Sequence, residues 1–329
     1  MFIHKLFEES VKAIENERDP VFRNENIAWP SESLANVGDF AVGECRRALF
    51  YKIIGIPYTD KISVRVKRIG EIGSRIEDIL INKFKEKNMY VSSQDRIEFE
   101  MPNTINKVKH SGKLDVIIND DNVIRGIEIK SISGFKVDKV FGSKNGMPLP
   151  SANNLMQAMN YKYHAMNSEI NGVNVEEIYL MYVDRGSETT MYFKVDLDSE
   201  GWPIITPITM EGYVLDTIKL KDVPSYDDLL RHSTVATSTQ STLAELRINV
   251  NDIFDKFDST YSYVREEILP PCDYSMIYSS EELEKQLHCG RLSKIKYNKH
   301  KKGDTCGDMR CSFCNYRTKC LADSGIRLS

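Results

Sequence analysis

Val and Ile alternate with polar residues over 114–118 and 122–130, on either side of Asn119-Asp-Asp-Asn122, which predicts two short strands joined as a β-hairpin. If the turn has two loop residues, Asp120 and Asp121, or four, 119–122, position 115 faces position 126. Alternation then places Glu128 and Lys130 on the face that carries Asp115, with Ile127 and Ile129 pointing into the core. Apolar residues at helical spacing, Ile72, Ile76, Ile79, Leu80 and Phe84, predict a helix over 64–87. In it Gly73, Glu77, Leu80 and Phe84 share a face, so Glu77 sits beside the buried stripe while Asp78 and Lys83 point to solvent. Further helices are predicted over 1–17, 37–51, 153–167 and 243–269, the second stopped by Gly55-Ile-Pro57 and the last by Pro270-Pro271. Strands are predicted over 89–101, 178–183 and 191–195. The Ser/Thr-rich stretch 223–243 reads as a connector.

The order helix, strand, hairpin, helix, strand, strand predicts an α/β fold with a mixed central sheet flanked by helices. Three segments are expected: an N-terminal helical part (1–63), a core (64–200) and a C-terminal helical, cysteine-rich part (201–329). At 329 residues the chain is long enough to bury a substantial core. Lys and Arg number 44 against 48 Asp and Glu, a net charge of -4, so a nucleic acid would have to be met by a local basic surface. No apolar run has the length of a membrane span, and the first residues lack the pattern of a signal peptide, so a cytoplasmic location is expected.

The hairpin concentrates the chemistry. Two carboxylates and an ammonium on a sheet of aliphatic residues are costly to bury unpaired, and a divalent cation is their natural partner. Magnesium and manganese take carboxylate and carbonyl oxygens, and an adjacent lysine can hold and polarise water. The plain alternative is the polar face of an edge hairpin, with Glu128 and Lys130 as a surface pair. Glu77 is either a third carboxylate reaching the metal or a stripe-edge residue whose head group reaches water. Gln157 and Tyr161, four apart on one helix face, could contact a phosphate or form a surface pair.

Four of the seven cysteines, Cys306, Cys311, Cys314 and Cys320, crowd into the C-terminal stretch, where C-x2-C-x5-C is metal-ligand spacing. Three thiolates leave one position for a fourth ligand. Cys306 would make a local zinc knuckle, and loop closure favours it. Cys45 would staple the C-terminus to the N-terminal helix, although a lone cysteine on a helix is more often a small core residue. Just before the cluster lies a basic run, Arg291 to Lys302, with Tyr297 among its charges. Such a run is ordinarily a solvated face, and is also what a single-stranded backbone binds. No Gly-x4-Gly-Lys-Ser/Thr phosphate loop is present.

Taken in order, Gly-Glu-Cys45-Arg-Arg-Ala-Leu-Phe-Tyr, Ile72-Gly-Ser-Arg-Ile-Glu77, Gly112-Lys-Leu-Asp115, Ile127-Glu128-Ile-Lys130, Gln157-Ala-Met-Asn-Tyr161 and Cys311-x2-Cys314-x5-Cys320 resemble the PD-(D/E)XK nuclease superfamily. Within it the chain is most similar to RecB-like iron-sulfur exonucleases, the CRISPR-associated type and its phage relatives. The resemblance implies a restriction-endonuclease-like fold and metal-dependent hydrolysis of DNA, from ends and often single-stranded. It implies that Asp115, Glu128 and the carbonyl of Ile129 bind magnesium or manganese, that Lys130 orients the attacking water, and that Gln157 and Tyr161 hold substrate. It also implies a four-iron four-sulfur cluster on Cys45, Cys311, Cys314 and Cys320, and helicase, recombinase or CRISPR-adaptation partners. Many members have histidine where this chain has Glu77. Two other readings are a DNA-binding or assembly subunit without catalysis and a zinc-knuckle protein.

Overall fold

The computed structural model describes residues 27–60, 64–142, 146–231, 235–301 and 307–326. The helix expected over 1–17 and Cys306 lie outside the described residues. In chain order the first elements are β1 (Ile27–Ala28), β2 (Leu34–Val37), β3 (Phe40–Gly43), α1 (Arg46–Ile53), α2 (Val64–Glu86), β4 (Tyr90–Glu100), β5 (Lys109–Asp120) and β6 (Val123–Ile132). There follow α3 (Phe135–Phe141), α4 (Ala152–Asn167), β7 (Glu177–Asp184), β8 (Thr190–Leu197), β9 (Pro203–Thr209) and β10 (Ile218–Lys219). The remainder is helical: α5 (Tyr226–Leu230), α6 (Ser238–Leu246), α7 (Val250–Arg265), α8 (Ser280–His288), α9 (Lys294–Lys301), α10 (Met309–Ser312) and α11 (Arg317–Asp323).

The central sheet has eight strands in the order β1-β5-β6-β7-β8-β9-β10, with β4 also paired to β5. β1 runs parallel to β5, and β6 to β7; the other pairs are antiparallel. The expected mixed sheet between helices is therefore what the chain forms. α2 covers one face, packing Ile76, Leu80 and Phe84 on Val116, Ile118, Ile127 and Ile129. Burying Ile127 and Ile129, 4% and 8% exposed, contributes about 1.5–3 kcal/mol each. α4 covers the other face with Leu155, Met156 and Met159, in a core that continues through Phe254 and Phe257 of α7. Among the described residues no helix is long and apolar enough to cross a membrane.

Several elements differ from the pattern reading. The span 37–51 is a hairpin followed by a helix: Val37 pairs with Phe40 across Gly38-Asp39, with Gly38 at φ +56°, and α1 begins only after Cys45. The 223–243 connector contains α5 and the start of α6, the latter nucleated by a capping box in which Thr237 and Gln240 satisfy each other's backbone N–H. The helix expected over 243–269 is broken at Arg247, and α7 starts afresh on an Asn249 cap. Of the basic run, Lys294–Lys301 form a helix, α9, with no buried residue, while Leu292 before it is buried. The sheet also takes β1 from before residue 64, and β9 and β10 from beyond residue 200.

Candidate active site and thiol cavity

On one edge of β5 the partner strand changes. β1 pairs at Lys109 and His110, and β6 pairs from Val116 to Asp120. Between them β5 and β6 diverge, and Asp115 lies where the ladder ends. Its Oδ2 accepts the Ile129 N–H at 2.8 Å, so the carboxylate stands in for the next main-chain acceptor. The hairpin turn is Asp121-Asn122, both at positive φ (53° and 66°), a conformation these two residue types tolerate. Asp120 therefore pairs with Val123, and the register is shifted by two from the one expected. A shift of two preserves faces, and Glu128 and Lys130 remain on the side opposite Ile127 and Ile129. Strict alternation fails on β5, however. Leu114 and Ile117 both enter the α4 core, while Val116 and Ile118 enter the α2 core, so Asp115 sits at an irregularity.

Three carboxylates and a lysine gather at this fork. Glu128 is 1% exposed; one oxygen accepts from Lys130 Nζ and from Gln157 Nε2, the latter at 2.7 Å. Its other oxygen, Oε2, is buried with no hydrogen-bond partner among the described residues. Burial pushes the Glu128 carboxyl up to about 8, Lys130 opposing and the charges of Asp115 and Glu77 adding to it. Glu77 and Asp115 are also raised, by burial first; for Glu77 the Asp115 charge comes next. Burial disfavours the Lys130 ammonium, but Glu128 and Asp115 outweigh it and hold its pKa above the usual lysine value. Gln94, opposite Asp115 on β4, donates from Nε2 to Glu77 and to Asp115 Oδ1, the second at 3.4 Å. Its backbone has φ +56°, which is strained for glutamine. Nothing in the sequence pattern marks Gln94.

The helical pair is buried, so it is not a surface pair. Gln157 is 8% and Tyr161 2% exposed. Gln157 Nε2 also reaches the Tyr161 hydroxyl at 3.0 Å, and that hydroxyl donates to the Lys113 carbonyl at 2.8 Å. The two side chains thereby fasten α4 to Glu128 and to the unpaired interval of β5. The motif glycines serve close approach. A Cβ on Gly112 would meet Pro30 Cγ at 2.5 Å, and one on Gly73 would meet Ser131 Oγ at 3.2 Å, where α2 crosses β6.

A second centre lies between the chain's distant parts. Cys45, at the cap of α1, lines a cavity of about 210 Å³ together with Cys311, Cys314 and Cys320. Cys272, which sequence reasoning did not single out, lines it too. Cys314 Sγ accepts the Tyr316 N–H at 3.4 Å, and Cys320 Sγ accepts from Arg47 Nη1 at 3.7 Å. Burial pushes the Cys45 thiol up to about 11 and the Cys311 thiol to about 12. The Cys320 thiol is drawn down, chiefly by its contact with Cys272 and then by Arg47, while burial opposes it. Protein contacts also join the segments around the cavity: Thr59 and Asp60 N–H both donate to the Asn315 carbonyl, Thr318 N–H donates to Asp60, and Tyr51 donates to Asp323 at 2.6 Å.

The donor sets suit two different groups. Carboxylates with raised pKa values, Asp115 adding to the shift of Glu77 and Glu128, and an orphaned buried oxygen on Glu128 suit a hard divalent cation; converging thiols suit a thiolate-bound centre, zinc or an iron-sulfur cluster. Among the described residues no three His, Cys, Asp or Glu side chains are already drawn into ion-holding geometry at either place. At the fork the carboxylates are instead held by Gln94, Ile129, Lys130 and Gln157.

No family model matches the chain, and no curated protein matches it. A solved structure described as "Crystal structure of SSO0001" is similar at 16% identity over 58% of this chain and 77% of that one, with a TM-score of 0.33. That likeness is too slight to bear on fold or activity.

Proposed function

We propose that the chain is a metal-dependent DNA nuclease that hydrolyses phosphodiester bonds at single strands or DNA ends and carries a four-iron four-sulfur cluster in the thiol cavity. The observation that supports it best is the meeting of Glu77, Asp115, Glu128 and Lys130 at the β5–β6 fork, with Gln157 seated on Glu128. Glu77, Asp115, Glu128 and the Ile129 carbonyl would hold magnesium or manganese. Such an ion supplies positive charge against the charge that develops on the phosphate and the leaving oxygen.

The protein's own groups set the rest. Lys130, kept cationic by its carboxylate neighbours, donates hydrogen bonds at neutral pH, so it orients the attacking water and does not take its proton. Gln157 holds one Glu128 oxygen in place, which leaves Oε2 as the oxygen available to a cation. Cys45, Cys311, Cys314 and Cys320 would hold the cluster, whose part is to join α1 to α10 and α11. With no phosphate loop in the chain, unwinding is left to a helicase or recombinase partner, or to substrate already single-stranded.

Degradation of end-labelled and circular DNA, single-stranded and duplex, by anaerobically purified protein with magnesium or manganese tests the reading. Lys130→Ala should abolish cleavage while DNA binding and iron content stay within about twofold of wild type. Retained cleavage would move the active site elsewhere. Binding without cleavage by both proteins would favour a non-catalytic or partner-dependent DNA-binding subunit of a recombination or CRISPR-adaptation complex.

A further inference from the structure

The cavity presents five thiols, and a four-iron cluster takes four. Cys272 is the surplus. It follows Pro270-Pro271 in the connection between α7 and α8, and its Sγ lies 3.3 Å from Cys320 Sγ on α11. Thiolates on different irons of a cubane point outward from different corners, with the body of the cluster between them. Sulfurs in contact cannot serve two corners at once; they point at one. Two of the other thiols have separate main-chain partners, Cys311 Sγ donating to the Tyr274 carbonyl at 3.5 Å and Cys314 Sγ accepting from Tyr316 N–H. Arg47 spans the two close segments, donating from Nε to the Pro270 carbonyl at 2.8 Å and from Nη1 to Cys320 Sγ.

We propose that Cys272 and Cys320 share one coordination position, so that the cluster has three fixed thiolate ligands and one exchangeable one. The inference rests on the iron-sulfur reading of the cavity. In the exchange the Cys320 thiolate leaves its iron, the Cys272 sulfur bonds to that iron, and the proton of the Cys272 thiol passes to Cys320. No oxidant or reductant is consumed, and the charge of the cluster is unchanged.

Iron and acid-labile sulfide, counted per chain on anaerobically purified protein with visible absorption alongside, test it. Wild type, Cys272→Ser and Cys320→Ser should each carry a full cluster. Cys314→Ser and the Cys272→Ser/Cys320→Ser double variant should lose it, by roughly tenfold or more in iron content. Loss in Cys320→Ser as complete as in Cys314→Ser overturns the proposal, as does loss in Cys272→Ser alone.

Because Cys320→Ser could fail to fold, loaded wild-type protein is also treated with iodoacetamide and the modified peptides are identified. Partial labelling of both Cys272 and Cys320, with Cys45, Cys311 and Cys314 protected, is expected. Label on one of the pair alone, or on neither, overturns the shared position. Wild type without iron and sulfide removes the underlying reading, and the proposal with it.

Discussion

Gln94 shows how much of the site rests on a residue no pattern announces. A glutamine at φ +56° costs about 1–2 kcal/mol that glycine would not. Its amide occupies Glu77 and Asp115, which the proposed cation would also have to occupy. Gln94→Gly should therefore unfold at an equal or higher temperature and reach half-maximal cleavage at a lower magnesium concentration; thermal melts and a metal titration check both. His110 is a second silent residue, fully buried against Phe99 and Phe257 with neither ring nitrogen partnered among the described residues. Burial, then the neighbouring His164, lowers its pKa from 6.5 to about 3. The unfolded chain thus binds the extra proton first, so this contribution is intact above pH 6.5 and is lost as pH falls toward 3, by about 1.4 kcal/mol per unit. Urea unfolding at pH 7.5 and pH 5 should show the loss, and His110→Leu should flatten it.

Among the elements, those with an uninterrupted period were legible: α2, α4, β4, β7 and β8 lie within a few residues of where apolar spacing puts them. Others were decided by single turns. The hairpin register depended on Asp121-Asn122 taking left-handed backbone, and the 37–51 span on Gly38 doing so. The short strands β1 and β10, two residues each, exist because the sheet supplies partners, which local sequence does not record. At the site, Glu77, Asp115, Glu128 and Lys130 could be named from spacing and resemblance, whereas Gln94 and Cys272 could not, since each is brought in by a distant strand or loop. The Gln157–Tyr161 pair was visible as a helix face, but its role as a fastening of α4 was not. Tyr161→Phe leaves the Lys113 carbonyl unpaired and should cost about 1–3 kcal/mol in chemical denaturation, with a larger fractional fall in cleavage than in DNA binding.

At the scale of the molecule, the ends of the described chain are joined by more than thiols. Asp273 pairs with both Arg46 and the largely buried Lys256, which also donates to Asn36. On the proposed iron-sulfur reading, stripping the iron should therefore leave the sheet intact while the segments carrying the thiols loosen. Hydrogen exchange is expected to lose protection at 46–53 and 309–323 and keep it in β5 to β8; uniform loss would make the cluster a global determinant of the fold. α4 reaches both centres. Asn153, at its start, accepts from Arg310 at 2.7 Å, Met156 lies against Gly43, and Gln157 holds Glu128. On the proposed reading, a brown preparation that bleaches in air is thus expected to fade in two respects together, because the helix that seats the glutamate also leans on the walls of the thiol cavity. For such material, any turnover is better normalised to iron than to protein.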